Sequence, residues 1–177
     1  MRWLWSEKTI DYEGRYYKLH NVGILPHPAQ RAGVPIWIVA DRNETGFKRV
    51  GRLGDGWVTL APTLERFSAA RRKTDQYAAE HGRADRCRTS ALYVAFNLHS
   101  DAERARSEGW RWMEHFFGQP KEKLAHFFTL FGTSAECVRV LKDYAAAGLT
   151  TIIARIASDD PRDQSRILLD EVKPQLS

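Results

Sequence analysis

Four short apolar runs, set apart by segments with helical punctuation, constrain this chain more than any other feature. They are Pro35–Ala40, Gly56–Ala61, Ser90–Phe96 and Leu149–Ile156. None alternates polar and apolar residues as a half-exposed antiparallel strand does. Near-continuous apolar strands belong instead to parallel sheets covered by helices. After the first run, Phe47, Val50 and Leu53 recur at helical spacing, and Gly54-Asp55-Gly56 ends the pattern. Thr63 can cap a helix reaching His81-Gly82, with Leu64, Phe67 and Tyr77 inward. Ser100 with Glu103 spells a capping box, followed by Ala102, Ala105, Gly109, Trp112 and Phe116 on one face. Thr133 with Glu136 spells another, with Val138, Leu141 and Ala145 inward. Asp160-Pro161 opens a last helix that runs to about Lys173-Pro174. The chain from residue 35 to 177 therefore reads as four βα units, which predicts a parallel sheet, open or curled into a barrel. Residues 1–34 differ: an aromatic hairpin pattern around Gly14 spans Ile10 to Leu19, and Leu25–Gln30 is a proline-stiffened lead.

At 177 residues, 43% hydrophobic and 28% charged, the chain has material for a genuine core, which excludes a disordered or low-complexity class. The net charge of +5 is spread along the chain, and Arg71-Arg72-Lys73 reads as a solvated helix face, so no nucleic-acid partner is expected. No apolar run is long enough to span a bilayer and the first residues lack a signal-peptide core, so no membrane partner is expected. Cys87 and Cys137 lack Cys-x-x-Cys spacing and read as packing residues in a reducing, cytoplasmic protein. The six histidines show no metal-ligand spacing, so no metal is expected. There is no Gly-x-Ser-x-Gly, no phosphate loop and no Gly-rich dinucleotide fingerprint.

The strongest local candidate for chemistry is the junction from Ala40 to Gly46. A helix that starts directly after a parallel strand presents free N–H groups and a positive dipole end, which suits an anion. Asn43 and Thr45 can cap the helix or donate to a phosphate oxygen, and Arg42 can pair with one. Asp41 and Glu44 weigh the other way, because carboxylates at a helix start commonly satisfy the helix itself. Both readings stay open on sequence. Asn97 and His99 sit at the end of the third run, where barrel enzymes place active-site groups. Arg155, near the end of the fourth, has Asp159 or Asp160 as an expected ion-pair partner.

The stretches "DYEGRYYKL", "PHPAQRAGVPIWIVAD", "FKRVGRLGDGWVT", "FGTSAECVRVLKDYAAAGLTTIIARI" and "EVKPQL", in this order, resemble the luciferase-like monooxygenases. That resemblance implies a TIM (β/α)8 barrel and an oxidoreductase using reduced FMN or the deazaflavin coenzyme F420 on a small-molecule substrate. It makes residues 1–34 the end of a helix, a hairpin insertion and a lead, and residues 35–177 strands five to eight. Met1 then falls where a helix is already under way, so about half a barrel is expected. In some members the loop after the fifth strand holds the cofactor phosphate, which maps onto Asp41, Arg42 and Thr45, beside Asn43. An open half-barrel also predicts a homodimer or a separately encoded N-terminal half as partner. The alternative is a non-catalytic remnant or partner subunit that keeps the fold.

Overall fold

The computed structural model describes residues 1–30, 33–61 and 63–176. They divide into two units, Met1–Ile36 and Trp37–Ser177. Arg31 and Ala32, just after the proline-stiffened lead, lie outside the described residues. In the first unit, helix α1 (Arg2–Ser6) precedes β1 (Ile10–Glu13) and β2 (Lys18–Val22), which pair antiparallel with Tyr12 opposite Leu19. The Gly14 N–H donates to the Tyr17 carbonyl at 2.9 Å and closes the turn. A Cβ on Gly14 would stand 2.5 Å from the ring of the exposed Tyr12, which would have to swing aside.

The larger unit is a parallel sheet built on β5 (Thr89–Leu98). β3 (Trp37–Val39) pairs with β4 (Gly56–Thr59), and β4 pairs with Thr89–Leu92 of β5. β7 (Thr151–Ile156) pairs with Ala91–Phe96. All four expected runs are therefore strands, parallel and in sequence order. A fifth strand, β6 (Phe128–Gly132), was not expected and pairs with Val94–Leu98. Its apolar residues point both ways: Phe128 and Leu130 join the main core, and Phe131 joins a second cluster with Met113 and Leu124. With both faces buried, no alternation marks such a strand.

The connecting helices are α2 (Glu44–Leu53), α3 (Leu64–Glu80), α4 (Ala102–Phe117), the single turn α5 (Lys121–Leu124), α6 (Ser134–Ala146) and α7 (Pro161–Ile167). A π-helical turn over Leu168–Val172 and a 3-10 turn over Lys173–Gln175 extend the last. Thr63, the Thr133–Glu136 box and Asp160 cap as expected. At α4 the cap is Asp101 rather than Ser100, its carboxylate accepting from the N–H groups of Glu103 and Arg104. The buried face of α4 is Ala105, Gly109 and Met113, while Trp112 stacks on the exposed Phe116.

Parallel register places side chains on two faces of the sheet. Ile38, Trp57, Leu92 and Ile152 share the face that meets the helical core. Trp37, Val39, Val58, Tyr93, Ile153 and Arg155 share the opposite face. Trp37 and Val39 are 40% and 62% exposed, so the first run is apolar on both sides yet buried on one only. Both cysteines are buried free thiols; burial pushes Cys137 up to about 12 and raises Cys87, which keeps both protonated and inert. Among the described residues no helix is long and apolar enough to cross a membrane, and no His/Cys/Asp/Glu cluster could hold a metal.

Candidate anion site at the start of α2

The turn from β3 into α2 is held by the neighbouring strand. The Ala40 N–H donates to the Val58 carbonyl at 3.1 Å, and the buried Trp57 Nε1 donates to the Ala40 carbonyl at 2.6 Å. Trp57 is itself fixed by stacking on Phe67 at 5.5 Å and by the edge of Phe47. The fully buried Thr59 hydroxyl donates to Asp41 Oδ1 at 2.7 Å. Arg42 Nε and Arg66 stand 3.5 and 3.8 Å from the other carboxylate oxygen. Asp41 is thereby committed to holding the turn.

Asn43 is the N-cap of α2, its Oδ1 accepting from the Gly46 N–H at 2.6 Å. Helical geometry leaves the preceding N–H groups, those of Glu44 and Thr45, without intrahelical acceptors. Glu44 turns away from this end toward α3. It accepts from Lys73 Nζ at 2.5 Å and from the Tyr77 hydroxyl. Lys73 first and Tyr77 second hold the Glu44 carboxyl below its usual range, and Glu44 pushes Tyr77 up to about 12. A carboxyl with a depressed folded-state pKa contributes stability above its unfolded value and loses it as pH falls through the lower folded value. Acidification below about pH 4 is therefore expected to loosen α2 from α3. The measurement is amide exchange in α2 for the wild type and Glu44→Gln. The variant should lose this part of the acid dependence, and an identical profile in both would refute the tie.

Both carboxylates that argued against an anion on sequence grounds are thus neutralised by neighbours. What faces outward is a hollow of about 770 Å³ lined by Asp41, Arg42, Asn43, Thr45, Arg49 and His126, with Val39, Ala40, Gly46 and Leu60. All four sequence candidates meet there. Arg49 was missed, although it stands four residues after Thr45, one helical turn along the same face. His126 arrives from the segment before β6, which no local pattern signals.

The other candidates lie elsewhere. His99 accepts the Asp101 N–H on Nδ1 at 2.9 Å and lines a separate hollow with Thr133 and Glu171. Asn97 is buried, donating to the Ala157 carbonyl at 2.8 Å. Arg155 makes no ion pair with Asp159 or Asp160. Its Nε donates to the Tyr93 hydroxyl, and its guanidinium lies over the Phe116 ring at 4.6 Å.

A parallel sheet whose strands are joined by helices, with a hollow lined by Arg42, Arg49 and His126 at a strand-to-helix turn, defines an α/β fold of partial-barrel type. Residues 1–151 match the luciferase-like monooxygenases, and the chain belongs to that family. The F420-dependent glucose-6-phosphate dehydrogenase of Kineococcus radiotolerans is 23% identical over 93% of this chain and 53% of its own length. The enzyme of that name from Mycobacterium tuberculosis is 40% identical over 33% of this chain and 16% of its own. An F420-dependent secondary alcohol dehydrogenase in complex with an F420-acetone adduct superposes with a TM-score of 0.81 at 20% identity, covering 99% of this chain and 58% of that one. The monooxygenase RslO1 from Streptomyces bottropensis gives 0.79 at 21% identity, with the same coverage. The chain spans about half the length of the relative it matches along most of its own length.

Proposed function

We propose that this chain forms the phosphate-holding end of a flavin or deazaflavin site in a luciferase-like oxidoreductase. The observation behind the reading is the hollow at the start of α2, lined by Arg42, Thr45 and Arg49, where Glu44 is turned to Lys73 and Asp41 is held by the Thr59 hydroxyl. This donor set suits a phosphate monoester or diester, as carried by FMN and F420. Arg42, 61% exposed at its side chain, has the freedom to turn from Asp41 onto a phosphate oxygen. Thr45 and the helix-start N–H groups would fix the phosphate's position, and Asp41, Asn43 and Trp57 would hold the turn that presents them. When bound, the reduced cofactor supplies a hydride or activates oxygen. The relatives named for F420 favour the deazaflavin over FMN.

Each charge-assisted contact is worth about 1.5–3 kcal/mol, so Arg42→Ala and Thr45→Ala should each weaken cofactor binding roughly tenfold or more. Tryptophan quenching on titration with FMN and with F420 measures this, and unchanged affinity in both variants contradicts the assignment. A second reading is a non-catalytic relative that keeps the fold. It predicts that neither cofactor quenches the wild type.

A further inference from the structure

We propose that Arg155 is an anion anchor for the substrate: its guanidinium receives the carboxylate of an organic acid whose apolar body lies on the adjoining sheet face. This rests on the oxidoreductase reading above and adds to it the class of molecule acted upon.

Arg155 stands near the C-terminal end of β7, opposite Ala95 of β5, on the face that the main helical core does not cover. The C-terminal ends of parallel strands are where such sheets gather their ligands. The side chain is half-buried, and every neighbour that fixes it is neutral. Nε donates to the Tyr93 hydroxyl, and the guanidinium lies 4.6, 5.5 and 5.7 Å from the ring centres of Phe116, Tyr93 and Phe117. Phe116 is stacked in turn on Trp112 at 4.9 Å.

Among the described residues no carboxylate lies within ion-pair distance of Arg155, although Asp159 and Asp160 follow four and five positions later. Asp160 instead caps α7, accepting from the Asp163 N–H. A half-buried cation held among rings without a counter-ion is under-compensated, and an arginine serving only solubility would extend into water. The Tyr93 bond takes Nε, so the proposed carboxylate would meet the guanidinium at its Nη1–Nη2 edge. That edge matches the two oxygens of a carboxylate. Tyr93, Ile153 and Val58 on the same face offer an apolar surface beside it, and Trp37 and Val39 continue that face onto β3. An aryl or alkyl carboxylate suits this surface.

The test uses the full chain with benzoate as probe and benzamide as its neutral isostere, read by the arginine Nε–H resonances. Benzoate should shift the Arg155 signal saturably, with benzamide at least tenfold weaker. Arg155→Lys keeps the charge but loses the fork and should weaken benzoate tenfold, while leaving FMN affinity unchanged. Tyr93→Phe keeps the ring and should give a smaller loss. Equal binding of benzoate and benzamide, or an Arg155 signal unmoved by benzoate, overturns the proposal. The wild-type titration decides this even if the lysine variant does not fold. An unmoved Arg155 with FMN binding intact removes the anchor alone. A benzoate response without any cofactor response removes the cofactor reading instead.

Discussion

Trp57→Ala is expected to lower the stability of the chain by about 3–5 kcal/mol, the range for deleting a fully buried tryptophan. Trp57 is 1% exposed, stacks on Phe67, meets the edge of Phe47 and donates to the Ala40 carbonyl. Its removal leaves a cavity in the main core and an unsatisfied carbonyl at the turn into α2. Trp57→Phe separates the two effects, because it keeps most of the ring contact and loses the hydrogen bond. A loss of about 1–3 kcal/mol is expected for leaving that acceptor unpaired. Urea unfolding of both variants measures the difference. An alanine variant within 1 kcal/mol of wild type would show that the core does not hold the turn as described.

Gly51→Ala should produce the second large loss, against the usual trend for helices. Alanine normally gains about 1 kcal/mol over glycine inside a helix. Here a Cβ would stand 2.5 Å from both the carbonyl carbon and the Cβ of Tyr77, and 2.6 Å from the Ala78 nitrogen. Two of those obstacles are backbone, so α2 and α3 must separate. A net loss of about 2 kcal/mol is expected from such overpacking. Because α3 also holds Glu44 through Lys73 and Tyr77, the start of α2 should shift with it, and FMN affinity should fall in the same variant. A neutral or stabilising substitution would place the two helices further apart than described.

The parts of the fold that were legible in the sequence are those fixed by near neighbours. The Thr133–Glu136 box, the Thr63 cap and the apolar strands β3, β4, β5 and β7 follow from spacings of a few residues, and the register confirms the strands. The strand over Phe128–Gly132 was hidden because each of its faces finds a separate apolar cluster, which removes the alternation that marks a strand. Asp101 displaced Ser100 as a cap because its carboxylate reaches two N–H groups at once.

At the candidate site, Asp41, Arg42, Asn43 and Thr45 were legible because a strand-to-helix turn is a local event. What the sequence left open was the fate of the two carboxylates. Asp41 is settled by Thr59, eighteen residues on, and Glu44 by Lys73 and Tyr77, about thirty residues on. The role of Trp57 and the arrival of His126 depend on tertiary contacts of the same kind. Arg155 shows the converse: two aspartates close in sequence suggested an ion pair, and β-register with Tyr93 directed the side chain to the rings instead.

The phosphate position is tested most directly by backbone amide spectra of the chain titrated with FMN. Phosphate at the start of α2 predicts saturable downfield shifts of the Glu44 and Thr45 N–H signals, with weaker binding in Arg42→Ala. Saturable binding that leaves the signals of residues 41–49 unmoved would contradict it.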